Sequence, residues 1–559
     1  MLLSGADIIV KTLVEQGVKV IFGYPGGQII NVYDSLYKYQ DEIEHVLTAH
    51  EQGAVHAADG YARSTGKPGV VFATSGPGAT NLVTGIATAF LDSVPLIAIT
   101  GNVPTTQIGY DSFQEIDITG ITLPITKHNY FVSDVANLAD TIRDAIELAT
   151  SGRPGPVLID VPKDVQISLW EYRPQPPVKP AEPQPAKDLR IAQAAEVIND
   201  SERPFISFGG GMLSSGAQEE VLALADKIDS PIGCSMMGIS GVPTEHPRFL
   251  GMQGMHGHYA CSTAMHNADC IIALGVRFND RSTGNRHKFA TKSRIVHIDI
   301  DGSELSKTTS DSVGLRGDVK KTLEKLLPLI KSVSHPEWRE KIARLRALER
   351  GHEDQREGLT PKNAIRTLNK YLGENTPVAT DVGQHQMWAA QELVFKKSRR
   401  FISSGGLGTM GFGMGAAIGS AYGTGEKTVL ITGDGSFGMC LNELATAVTY
   451  NVPLVILLMN NGVLGMVRQW QTLFYGKRYS QTVLNDKVDY IKLSEALGVK
   501  AIRVTKKEEV EGAIKEALST KGPVVIEVVI ESDDKVFPMV APGKNLEDCF
   551  DEKDLQKQQ

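Results

Sequence analysis

A chain of 559 residues exceeds the size at which one hydrophobic core keeps growing, so roughly two to four domains are expected. Asp and Glu number 65 against 57 Lys and Arg, a net charge of −8 with no basic stripe; this disfavours nucleic acid and anionic membrane surfaces as partners. The five cysteines (Cys234, Cys261, Cys270, Cys440 and Cys549) lack CxxC spacing and read as reduced packing residues of a cytoplasmic protein, and no stretch approaches the about 20 apolar residues of a membrane span.

The opening MLLSGADIIVKTLVEQG reads as an amphipathic helix capped by Ser4, without the apolar core or cleavage motif of a signal peptide. Strands are expected at 18–22, 46–47, 70–74, 95–100 and 157–161, alternating with helical stretches. That rhythm predicts a mostly parallel α/β sheet and a first domain over residues 1–167. Two glycine-rich turns follow strands, GYPGG at 23–27 and SGPGATN at 75–81. Glu51 stands where a strand gives way to a helix. It can be an ordinary helix N-terminal carboxylate stabilised by the macrodipole, worth about 0.3–1 kcal/mol, or a chemically active acid.

Six prolines crowd the stretch RPQPPVKPAEPQP, which marks a stiff linker over residues 168–187. A second α/β domain is expected over 188–350, with strands at 204–208, 270–274 and 294–300. The triplet Gly209, Gly210, Gly211 ends the first of these and permits close backbone approach. In MQGMHGH, His256 and His258 are two apart without further ligands, a weak metal pattern. Arg277, Asn279 and Arg281 follow the strand ending near Gly275. They suit an anionic cofactor or, equally, a salt-bridged surface. Residues 331–358 read as a charged, helical connector.

The third domain, 359–547, begins with the cap-then-proline pair Thr360–Pro361. SGGLGTMGFG at 404–413 carries Met410, a core filler unless the glycines bring backbone to a ligand. The key stretch is GDGSFGMCLNELATAVTYNVPLVILLMNN, from Gly433 to Asn461. An apolar strand ends at Gly433, Asp434, Gly435 and Ser436. A helix follows with Leu441, Leu444, Ala445 and Val448 on its stripe, and a second strand ends at Asn460 and Asn461. Parallel strands place these ends together, although Asp434 and Asn461 are 27 residues apart. A carboxylate and an amide oxygen suit Mg²⁺, and the glycine N–H groups suit a diphosphate. Met466 and Trp470, at i and i+4, share a helix face, as core packing or as the wall of a pocket. Residues 548–559 are expected to form a mobile tail.

The GDG…NN spacing resembles the cofactor signature of thiamine diphosphate enzymes. With AHEQGAVHAADGYAR, SFQE at 112–115, RPGPVLIDVPKD, GMHG, SGGLGTMGFG and NNGVLGMVRQWQ, nearly the whole chain resembles the catalytic large subunits of biosynthetic acetohydroxyacid synthases. The resemblance implies three consecutive α/β domains of the thiamine diphosphate enzyme architecture. The first would bind the pyrimidine, the central one FAD, and the third the diphosphate and Mg²⁺. It also implies decarboxylation of pyruvate and ligation of the two-carbon unit to a second pyruvate, giving 2-acetolactate, or to 2-oxobutyrate, giving 2-aceto-2-hydroxybutyrate. That is the first common step of branched-chain amino acid biosynthesis.

Residue by residue, the resemblance assigns cofactor activation to Glu51 and sets the Gly27 backbone facing the reaction centre. Phe113 and Gln114 would line the substrate approach and Lys163 the channel mouth. Gly76, Gly433, Gly435, Ser436 and Met410 would hold thiamine diphosphate, with Met410 bracing its bent shape. Asp434, Asn461 and the Val463 carbonyl would hold Mg²⁺; Met466 and Trp470 would form the substrate pocket. FAD would lie on Gly209–Gly211, on Gly254, Met255, His256 and Gly257, on Arg277, Asn279 and Arg281, and on Asp299. The sequence departs from the family where Asn279 replaces the usual Asp and Gly415 the usual Pro; the second predicts a looser helix start. Active sites shared across a homodimer, possible pairing of such dimers, and a small regulatory subunit are implied as well. A pyruvate oxidase or another thiamine carboligase is the nearest alternative, and a catalytically dead paralogue the next.

Overall fold

The computed structural model describes residues 1–305, 307, 312–351, 356–484 and 487–557. Three six-stranded sheets follow one another along the chain, and every strand pair within them is parallel. In the first, the order is Glu44–Leu47, Val20–Gly23, Gly69–Ala73, Leu96–Asn102, Pro156–Pro162, His128–Phe131. The second runs Phe249–Met252, Ile232–Cys234, Pro204–Phe208, Cys270–Leu274, Arg294–Asp299, Ser312–Arg316. The third runs Phe401–Ile402, Val378–Thr380, Thr428–Gly433, Leu454–Asn460, Val524–Val529, Lys500–Val504. Helices cover both faces, as a parallel sheet requires. Strand Gly69–Ala73 shows the consequence: Val70 and Phe72 enter one core, Val71 and Ala73 the other.

Helix ends follow local chemistry. Ser4 caps helix Gly5–Glu15 by accepting the Asp7 N–H at 3.1 Å, and Thr360 and Asn363 form a capping box at Pro361–Asn369. The two outer regions meet through helices Glu51–Thr65 and Gly413–Thr424, whose backbones touch. A Cβ at Gly415 would stand 2.6 Å from the Gly53 carbonyl oxygen, and one at Gly60 or Gly419 would collide with Ala416 or Ala57. The loose helix start expected at Gly415 is therefore corrected. Its missing side chain lets the two helices pack at backbone contact.

Other expectations shift too. The GDG helix is two, Asp434–Cys440 and Glu443–Thr449. Ala445 is exposed, while Glu443, Leu444, Thr446 and Ala447 are buried. The proline stretch is irregular, but just before it Leu169–Glu171 pairs antiparallel with Leu2–Ser4. Residues 549–550 are no free tail: Cys549–Phe550 pairs with Met539–Val540, and a helix follows at Glu552–Lys557. The last two residues of the expected tail and residues 352–355 of the connector lie outside the described residues. All five cysteines are free thiols, four of them buried. No described helix is long and apolar enough to cross a membrane.

Candidate active site

Two polar clusters sit at the carboxyl ends of the outer sheets, where a parallel sheet offers its ligand side. In the first, Glu51 opens helix Glu51–Thr65, and its Oε2 accepts a hydrogen bond from Asn81 Nδ2 at 2.9 Å. Its Oε1 lies against Gly78, where a Cβ would stand 3.2 Å away. Gly76 has a left-handed φ of 56° and packs on Gln114, itself at φ 62°. Lys163 opens a short helix and donates from Nζ to the Gly27 carbonyl at 3.1 Å. Ser75 Oγ is buried without a hydrogen-bond partner among the described residues, a free polar atom beside Gly76. The structure thus joins Glu51 to the glycine turn 76–78, Gly76 to Gln114, and Gly27 to Lys163. Phe113 points into solvent at 82% exposure.

The second cluster surrounds Asp434. Its carboxylate accepts the Gly435 N–H at 3.0 Å and the Gly462 N–H at 2.7 Å. Burial pushes its pKa up to about 6 against the pull of those N–H groups. Asn461 donates to Gln384 Oε1 at 3.3 Å, and its Oδ1 takes the Val463 N–H at 3.2 Å. The Met410 methyl lies 3.7 Å from where a Gly435 Cβ would be, so loop and GDG turn face each other. Ser436 donates to the Val382 carbonyl at 3.0 Å. No group of three His, Cys, Asp or Glu fit to hold a metal occurs among the described residues. Asp434 and Asn461 would need further oxygen donors, such as a diphosphate and the Val463 carbonyl.

Several contributors were not singled out from the sequence. Asp381 is buried and accepts the Gly411 N–H at 2.8 Å and the Gly413 N–H at 3.3 Å, which pins the Met410 loop; burial raises its pKa to about 6. His385 packs on Gly433. Burial lowers its pKa to about 3, and its Nε2 has no partner among the described residues. Burial thus favours the neutral imidazole. Asp92 accepts the Gly405 and Gly406 N–H groups at 3.1 and 2.7 Å while paired with Arg63 at 3.0 Å. Nothing in a linear motif announces these contacts; those of Asp92 with the Gly405–Gly406 loop span more than 300 residues.

A cavity of roughly 1610 Å³ lies where the three sheets' loops converge. Gly209–Gly211, Met255, His256, Arg277, Asn279, Arg281 and Asp299 line it, and Met466 and Trp470 form another wall. Gly209 and Gly211 are small because Gly275 backbone packs on them, at 2.7 and 2.8 Å from the nearest would-be Cβ contacts. Gly254 and Gly257 shape the same loop from behind, where any Cβ would meet backbone. Asn279 caps helix Asp280–Thr283 through Oδ1 to the Ser282 N–H at 3.0 Å, an acceptor role that Asp would fill equally. Arg277 donates to the Leu91 carbonyl at 2.5 Å and to Ser93, tying the middle region to the first. Burial drives the Asp299 pKa up to about 6 and that of His256 down to about 4. His258 is engaged by the Met252 N–H, at 3.1 Å from Nδ1.

Glu51 does not line this cavity, and neither does Phe113. Asp434 and Asn461 are likewise outside its lining. Family models for thiamine pyrophosphate enzymes match all three regions: the N-terminal binding domain at residues 3–121, the central domain at 191–326 and the C-terminal binding domain at 381–528. Over nearly its full length the chain is 45% identical to the probable acetolactate synthase large subunit of Methanocaldococcus jannaschii, covering 97% of this chain and 94% of that one.

This chain belongs to the acetolactate synthase large-subunit family. It is 40% identical to the isozyme 3 large subunit of Escherichia coli, over 98% of both chains. To the acetolactate synthase large subunit of Corynebacterium glutamicum it is 44% identical, over 98% of this chain and 90% of the other. The thiamine pyrophosphate-enzyme fold of that family is the frame in which the two clusters stand.

Proposed function

We propose that this chain is the catalytic subunit of an acetolactate synthase. It would decarboxylate pyruvate and join the two-carbon unit to a second pyruvate or to 2-oxobutyrate. The observation that carries the reading is the pair of polar clusters, one around Glu51 and one around Asp434, on a chain of this family. Thiamine diphosphate, when bound, supplies the electron sink for loss of CO₂ from a 2-oxoacid.

The residues divide the work. Glu51, oriented by Asn81, would exchange a proton with the pyrimidine ring. Asp434, Asn461 and the Val463 carbonyl would hold Mg²⁺, with the Gly433–Gly435 turn and neutral His385 on the diphosphate. Ser75 Oγ and His385 Nε2, both buried and free, are the atoms that fit such a ligand. Asp381 and Asp92 hold the loop on which Met410 would brace the cofactor. Lys163, Gln114 and Gly27 would receive the oxoacid carboxylate, Trp470 and Met466 the acceptor's alkyl end. FAD suits the large cavity: His256 Nδ1, without a partner among the described residues, its arginines and the half-buried Gly210 fit an anionic, hydrogen-bonding group.

As the family resemblance implies, we assign complete sites to a homodimer, each built from the Glu51 cluster of one subunit and the Asp434 cluster of the other. The relatives' designation as large subunits supports a small-subunit partner. The test is incubation of the purified chain with pyruvate, thiamine diphosphate, Mg²⁺ and FAD. Acetolactate should form while the flavin stays oxidised. Flavin reduction in step with product would overturn the reading in favour of an oxidase.

A further inference from the structure

Glu443 is a buried acid that the chemistry above does not use. It is 1% exposed, where an ionisable side chain needs a specific reason to be. It opens helix Glu443–Thr449, just beyond the helix Asp434–Cys440 that starts at the metal-site carboxylate. Its Oε2 accepts the Thr446 hydroxyl at 2.7 Å and, across the domain boundary, the Ala49 N–H at 3.1 Å. Ala49 and His50 form the turn that converts strand Glu44–Leu47 into helix Glu51–Thr65.

The remaining oxygen, Oε1, has no hydrogen-bond partner among the described residues and faces Gly53 in the first turn of that helix. Any Cβ at position 53 would collide with it. So the Glu443 carboxyl occupies a slot that Gly53 leaves open, two residues from Glu51. The other end of the same helix holds the same stretch, because the Tyr450 hydroxyl accepts the Leu47 N–H at 2.8 Å. The turn's own bonds are few. Thr48 N–H reaches the Gly23 carbonyl at 3.3 Å, its hydroxyl reaches the His50 carbonyl at 3.0 Å, and His50 Nδ1 takes the Gln52 N–H at 3.0 Å.

We propose that Glu443 is a positioning residue for Glu51: together with Tyr450 it splints the turn from Leu47 to His50 and so fixes where the Glu51 carboxyl is presented. The proposal rests on Glu51 being the cofactor-activating acid. A catalytic group displaced by about an ångström loses on the order of 100-fold, so the splint need only prevent a small shift to matter.

The test compares Glu443→Gln, Gly53→Ala and Tyr450→Phe with Glu51→Gln. Four readouts are taken: melting temperature, thiamine diphosphate and Mg²⁺ binding by calorimetry, the near-ultraviolet circular dichroism of the bound pyrimidine's imino tautomer, and hydrogen–deuterium exchange at C2. The splint variants should bind cofactor as the parent does, lose the tautomer signal and exchange about 10- to 100-fold more slowly. Tyr450→Phe removes one hydroxyl and carries the test if the Glu443 or Gly53 variant fails to fold. If the splint variants merely melt lower, with tautomer signal and exchange like the parent's while Glu51→Gln is impaired, Glu443 is structural and the proposal falls alone. If Glu51→Gln itself exchanges normally, the role of Glu51 falls and the proposal with it.

Discussion

Trp470→Leu should lower the preference for 2-oxobutyrate over pyruvate as acceptor. Trp470 lies on helix Gly465–Phe474 and faces the cavity beside Met466. Its ring packs edge-on to Phe474 at 5.4 Å, and the Arg281 guanidinium stands 5.8 Å from its centroid. The two acceptors differ by one methylene, worth about 0.8 kcal/mol when buried, and pockets reading such a difference reach about 1–3 kcal/mol. The indole is only partly buried, so the low end applies: a shift of about 1 kcal/mol, or about fivefold in product ratio. Losing the ring pair should also cost about 0.5–1.5 kcal/mol of stability. A competition assay with both oxoacids, scored for acetohydroxybutyrate and acetolactate, reads the first effect and a melting curve the second. Turnover of pyruvate alone should change less, because the donor is decarboxylated before the acceptor is chosen. An unchanged product ratio with a lowered melting temperature would refute the specificity role and leave Trp470 as packing.

Three further outcomes are expected. Asp434→Ala removes the one charged ligand of the GDG turn, so calorimetric affinities for Mg²⁺ and thiamine diphosphate should fall together; unchanged binding of both would show the turn to have another role. Gly419→Ala forces a methyl into the Ala57 backbone and should cost about 1–3 kcal/mol in denaturant unfolding, where a neutral result would contradict the backbone contact between the two helices. Glu15 is held down to about 2 despite its burial, by Arg143 and Tyr172 and the Gln175 N–H. Because its folded pKa lies below the ordinary 4.5, its stabilisation is complete above pH 4.5 and fades as pH falls through about 2. The gap in melting temperature between parent and Glu15→Gln should close over that range, and a constant gap would rule this linkage out.

The Asp434–Asn461 pair was legible because each residue ends an apolar run long enough to declare a strand, and parallel topology does the rest. Strands such as Pro204–Phe208 and Cys270–Leu274 matched their apolar runs for the same reason. The edge strands His128–Phe131, Phe249–Met252, Ser312–Arg316 and Phe401–Ile402 went unseen, being short or mixed in polarity, as half-exposed edges are. Ile232–Cys234 has only three residues and no periodicity to show. In the candidate site, Glu51 could be placed at a helix start, but its partner Asn81 is 30 residues away and no local pattern links them. Asp92, Asp381 and Glu443 look like surface or capping acids in the sequence. What buries them is contact with loops and helices from other parts of the chain, which only the folded structure supplies. Gly415 was misjudged on helix propensity alone, when tertiary packing decides its role.

The central claim is that a complete site takes Glu51 from one subunit and Asp434 from the other. Co-expression of Glu51→Gln and Asp434→Ala chains tests it most directly. Each variant alone should be inactive in acetolactate formation. In a mixed dimer one site carries both lesions and the other carries neither, so an equal mixture should recover about a quarter of parental activity if dimers pair at random. A mixture as inactive as its components, with mixed dimers confirmed by mass, would contradict the shared site.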